Sequence, residues 1–108
     1  MALTLREYQT EARKTLLVDN EHLLAYLALG LGGEAGEIQN KLKKVLRGDY
    51  SADTIKDDLG AELGDVLWYL AMLADTLGLD LDVIAQANLD KLASRQQRGQ
   101  LRGAGDVR

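Results

Sequence analysis

Gly32-Gly-Glu-Ala-Gly-Glu-Ile38 lies inside a run that otherwise has helical periodicity, and it strains against it. Glycine inside a helix costs about 1 kcal/mol relative to alanine. Gly32, Gly33 and Gly36 are all present, together with Glu34 and Glu37. The apolar stripe around this stretch is Leu27, Leu31, Ile38, Leu42 and Val45. Position 34 falls on that stripe, so Glu34 places a carboxylate where the pattern calls for an apolar side chain. A buried carboxylate is protonated, paired or bound to a cation.

Working outward, the spacing predicts four helices and no strand. The first spans about Leu5 to Leu17, with Leu5, Tyr8, Ala12 and Leu16 on one face. A turn at residues 18–21 follows, where Asp19 or Asn20 can cap the next helix. The second helix runs from about Glu21 to Leu46 and stops at Arg47-Gly48. After a loop at 48–53, a third runs from Asp53 or Thr54 to Leu77 and breaks at Gly78, and a fourth spans Leu81 to Gln97. Leu59, Leu63, Val66, Leu70, Leu73 and Leu77 form a seam on the third helix that should pack on other helices. The chain contains no proline, which favours long uninterrupted helices. The expectation is an all-α single domain over residues 1–108, with a basic glycine-rich tail from about residue 98.

The 108-residue length supports one modest core. Absence of cysteine excludes disulfides, thiolate nucleophiles and cysteine metal sites. A formal net charge of −4 argues against general nucleic-acid binding. The start, MALTLREYQTEARK, lacks the pattern of a signal peptide, and no run approaches the roughly 18 apolar residues of a membrane span. A cytoplasmic location is therefore expected. Positive charge concentrates late, at Lys91, Arg95, Arg98, Arg102 and Arg108, either as a solvated tail or as an arm that meets phosphate.

The third helix carries a second acid pair, Glu62 and Asp65, at the same i, i+3 spacing as Glu34 and Glu37. That spacing puts each pair on one helix face. A short loop makes the two helices antiparallel neighbours, so the pairs should face each other. One such pair alone is usually a solvated surface feature. Two pairs beside apolar stripes and flanked by Gly33, Gly36, Gly60 and Gly64 suggest an oxygen-ligand site for Mg²⁺, with Mn²⁺ as a substitute. His22 lacks the Glu-x-x-His partners of a di-iron bundle and reads as a surface residue. On the fourth helix, Asn88 interrupts an apolar stripe of Leu81, Ile84 and Leu92, and Lys91 and Arg95 extend that face. The two cations are equally consistent with ordinary basic residues near a helix C-terminus.

GEAGEI, ELGDVLWYLAMLA and ANLDKLASR together resemble the MazG-like nucleoside triphosphate pyrophosphohydrolases, over roughly residues 20–108. The resemblance implies a four-helix bundle completed by homodimerisation, or a tetramer of such dimers. It implies Mg²⁺-dependent attack of water on the α-phosphate of a nucleoside triphosphate, giving monophosphate and pyrophosphate, in nucleotide-pool cleaning. Glu34, Glu37, Glu62 and Asp65 would be metal ligands and the catalytic acids. Lys41, Tyr69, Asn88, Lys91 and Arg95 would contact substrate, while Trp68 reads first as core packing. Gly33 stands where many relatives carry a further acid. Phosphoribosyl-ATP pyrophosphohydrolase and a non-catalytic helical dimerisation module are the alternatives.

Overall fold

A computed structural model describes residues 2–18 and 21–99. Four helices account for it: α1 (Leu5–Arg13), α2 (Leu23–Leu46), α3 (Ala52–Thr76) and α4 (Leu81–Gln97). Among the described residues there is no strand, and the architecture is all-α. Residues 19 and 20, offered by the sequence as caps for α2, lie outside the described residues, as do those after 99. The N-cap position of α2 is His22, which makes no side-chain cap hydrogen bond and is exposed.

The helix ends follow local chemistry. Thr4 and Glu7 form a capping box: Glu7 N donates to Thr4 Oγ1, and Thr4 N donates to Glu7 Oε1, both at 3.0 Å. Helix α1 ends at Arg13, four residues before the expected Leu17. There the i→i+4 ladder gives way to tighter bonds from Thr15 N to Ala12 O and from Leu16 N to Arg13 O. Ser51 caps α3 by accepting from Thr54 N. Helices α2 and α3 both close with a Schellman motif. Gly48 and Gly78 take φ of 86° and 73°, and the following Asp49 and Leu79 donate back to Lys44 O and Ala74 O. These turns require glycine's left-handed freedom, as does Gly99 after α4 at φ 69°.

Helices α2 and α3 form an antiparallel hairpin with the most extensive packing in the chain. Helix α1 lies across α3, and α4 packs on α1. The enclosed core is small: Ala12, Leu27, Ala71, Met72, Ala74 and Leu81, bordered by Tyr8, Leu16, Leu23, Trp68, Tyr69 and Leu73. The leucine seam expected on α3 meets this core only in part: Leu73 packs against it, and Leu59 and Val66 are half-buried. Leu63, Leu70 and Leu77 are 59%, 43% and 56% exposed. α3 is apolar on more than one face, and its Ala71, Met72 and Ala74 join the core with Ala12 of α1 and Leu27 of α2. Periodicity alone could not say which of two apolar faces meets the chain's own helices.

Gln9, buried at 2% exposure, joins α1 to the turn before α4. Its Nε2 donates to Leu79 O at 2.8 Å, and its Oε1 accepts from Leu81 N at 2.9 Å. One side chain thus satisfies a turn carbonyl and a first-turn amide of α4. Outside it, the Arg6 guanidinium lies 3.7 Å from both Asp80 and Asp82, and Arg13 pairs with Asp75.

Candidate active site

The hairpin brings acids from α2 and α3 together. One carboxylate oxygen from each of Glu34, Glu62 and Asp65 lies within 4.8 Å of the other two. Glu34 and Glu62 are half-buried and Asp65 is exposed. Glu37, one turn along α2, is exposed and outside this triad. Its charge still acts on Glu34 and on Lys41.

Lys41 closes one side of the cluster. Its Nζ lies 3.1 Å from Glu62 Oε1, with side-chain exposures of 25% and 15%. Glu62 Oε2 is buried, and with its neighbours ionised it finds no donor among the described residues. A proton kept on Glu34 relieves this, because a carboxylic acid can donate where a carboxylate only accepts. The hydrogen bond to Glu62 accordingly lifts Glu34 above its ordinary range, helped by burial and the charge of Asp65. Glu62 is held below its ordinary range, first by Lys41 and then by the hydrogen bond from Glu34. The Lys41 ammonium is correspondingly strengthened by Glu62.

Aromatic side chains border the acids. Trp68 Nε1 donates to Thr15 Oγ1 at 2.7 Å, which ties it to the turn after α1. It packs against the core, as its core reading requires. Tyr69 meets it edge-on, with ring centroids 5.0 Å apart and planes at 88°. The Tyr69 ring lies so close to Gly30 that a Cβ there would overlap it. Burial raises the Tyr69 phenol, with Tyr26, Glu34 and Asp65 adding to the rise. Tyr8 of α1, which the sequence did not single out, reaches the same region. Its phenol is raised by burial and then by Asp65. Its position on the α1 apolar face was legible, but not the crossing of α1 over α3 that carries it towards the acids.

Gly33, Gly36, Gly60 and Gly64 have open space where a Cβ would stand. They serve no close packing among the described residues. The fourth-helix residues are placed differently from the acids. Asn88 and Lys91 line a shallow surface with Ile84 and Ala87, on a helix packed against α1. Arg95, on the same helix, is buried at 6% exposure. The chain therefore gathers Glu34, Lys41, Glu62, Asp65 and Tyr69 in one region of the hairpin, while Asn88, Lys91 and Arg95 belong to α4.

The model of the MazG nucleotide pyrophosphohydrolase domain matches residues 20–99. The chain belongs to that family. It is also similar to the Gene 37 protein of Mycobacterium phage L5, 53% identical over 87 residues that span 79% of this chain and 76% of that one. No solved structure matches. Among the described residues, no helix is long and apolar enough to cross a membrane.

Proposed function

We propose that the protein is a divalent-cation-dependent nucleoside triphosphate pyrophosphohydrolase that releases a nucleoside monophosphate and pyrophosphate and serves nucleotide-pool cleaning in the cytoplasm. The observation that carries this reading is the Glu34–Glu62–Asp65 triad across α2 and α3, in a chain of the MazG family.

The residues fit a hard cation. All donors are oxygens, the preference of Mg²⁺ and Mn²⁺. With Glu34 ionised the buried Glu62 Oε2 has no donor among the described residues, and a cation would satisfy such an atom. One oxygen from each acid already lies within 4.8 Å of the other two, so the three converge on a common space that a cation would fill. Glu34, Glu62 and Asp65 would hold the ion, with Glu37 joining from the next turn. Bound there, the metal supplies charge stabilisation to the phosphate oxygens and an acidified water. The chain's own groups do the rest. A carboxylate of the cluster, Glu34 or Glu37, accepts the proton of the attacking water. Lys41 offers an ammonium to phosphate, and Tyr69 offers a ring and a phenol beside the acids. Open space at Gly33, Gly36, Gly60 and Gly64 leaves room for substrate.

Asn88, Lys91 and Arg95 complete the substrate site in a homodimer or a tetramer of dimers. Support comes from the exposed leucines of α3, which a second chain would cover, and from α4, whose main packing is on α1.

Product analysis tests the reaction. Ribo- and deoxynucleoside triphosphates incubated with Mg²⁺ should yield monophosphate and pyrophosphate, with loss on chelation and a drop of at least about a hundredfold in Glu62→Gln. Diphosphate and orthophosphate as products would reject attack at the α-phosphorus. Turnover of phosphoribosyl-ATP alone would assign the histidine-pathway activity instead. No turnover of any of these would leave a helical binding module.

A further inference from the structure

The Lys41–Glu62 ion pair sits against the acids that the proposed reaction assigns to the metal. Lys41 Nζ is 3.1 Å from Glu62 Oε1, with both side chains largely withdrawn from solvent. Glu62 contributes both to this pair and to the triad of converging oxygens. An ammonium on one oxygen of a carboxylate and a divalent cation on the other repel each other and share a single negative charge, so each weakens the hold of the other. Lysine reaches such a position on a flexible four-carbon stem and acts as a compact point charge, so it can also leave it.

We propose that Lys41 is a tethered competitor of the divalent cation for Glu62, so that metal binding and the Lys41–Glu62 ion pair oppose one another. The inference rests on the metal reading of the triad given above. Two further acids make the exchange feasible. Glu37 lies one turn before Lys41 on α2, and Asp58 lies one turn before Glu62 on α3, and the charges of both act on Lys41. A displaced ammonium therefore keeps an anionic neighbour and stays at the mouth of the acid cluster, where a phosphate would meet it. The competition weakens binding of the bare ion and couples it to arrival of a substrate that gives the ammonium a new partner. A lysine whose only task was to contact phosphate would leave bare-metal affinity alone.

The test is titration of the full chain with Mn²⁺, without nucleotide, by calorimetry or by the electron paramagnetic resonance signal of free Mn²⁺. Lys41→Met removes the charge while keeping much of the stem, and should bind Mn²⁺ about tenfold more tightly. Lys41→Arg keeps the charge and should stay within about twofold of the unaltered chain. Equal or weaker Mn²⁺ binding by folded Lys41→Met overturns the competition and leaves the metal site standing. Failure of the unaltered chain and Lys41→Met alike to bind Mn²⁺ overturns both readings.

A second measurement uses only the unaltered protein, and so does not depend on the variant folding. As Mg²⁺ saturates, the Lys41 Nζ nuclear magnetic resonance signal should move together with the Glu62 carboxylate signal. A Glu62 signal that moves while Lys41 stays still overturns the proposal.

Discussion

Glu62 has one oxygen satisfied by Lys41 and the other buried without a donor among the described residues, so its neighbours set its protonation. Lys41 and then Glu34 hold its pKa below the usual 4.5. A depressed carboxylate adds stability above its unfolded pKa, and that stability is lost as pH falls through the folded value. Glu34 has the opposite sign: its raised value favours folding below 4.5, and that contribution is lost as pH rises through the folded value. Lys41, also raised, contributes below 10.5 and loses its contribution only above that. In EDTA, Lys41→Met should therefore be less stable than the parent at about pH 7, and the gap should narrow at a second, acidic pH chosen below the lowered folded value of Glu62. Denaturant melts of both chains at the two pH values check this, and a gap independent of pH would count against the ion pair. The acids themselves were legible in the sequence, because a glutamate on an apolar stripe has no structural excuse. The unequal roles within the quartet were not. Nothing in an i, i+3 spacing says that Glu37 stays exposed while Glu34 joins Glu62 and Asp65. Gly30 was missed for a similar reason, since its fit against the Tyr69 ring depends on how α2 packs on α3.

At the scale of the element, the expected helix ends after Leu46 and at both ends of α4 hold to the residue. Glycine at a helix terminus is a local signal, and both Schellman turns need only a few residues to form. Helix α1 was over-extended because its stripe continues to Leu16 after the hydrogen bonds have tightened. Gln9 gave no signal at all. A glutamine in an amphipathic helix reads as solvent-facing, yet this one is buried and bridges Leu79 and Leu81. Replacing it with alanine strands a carbonyl and an amide at the entry to α4. Gln9→Ala should lower stability by about 2 kcal/mol. Amide exchange should speed up first in the opening turn of α4, ahead of the α2–α3 hairpin. Uniform exchange across the chain would mean that Gln9 does not hold α4 in place.

On the scale of the whole molecule, Leu27 and Met72 are the only large side chains among the described residues that are fully buried. The radius of gyration, 16.8 Å, exceeds the roughly 13 Å of a compact chain this long. Leu63, Leu70 and Leu77 are exposed on α3, and Ile84 and Leu89 on α4. Exposed apolar surface on this scale favours association. Light scattering should find a dimer or a tetramer, and Leu63→Glu with Leu70→Glu should shift it to monomer and cut the Tm by roughly 10 °C or more. A monomeric parent would exclude the shared site and require α4 to close on its own hairpin. The four-helix class was readable from the sequence. The division of apolar surface between this chain and a partner was not, because each leucine looks the same on either side of that boundary.

Trp68 is the only tryptophan in the chain, and its indole N–H is bonded to Thr15 in the turn that follows α1. Its emission colour is therefore a built-in gauge of whether the first helix is docked. Detachment of that segment would wet the indole and redden the light while the hairpin stayed helical by circular dichroism. A stopped-flow trace at one wavelength could then time that docking separately from closure of the hairpin, with no dye attached.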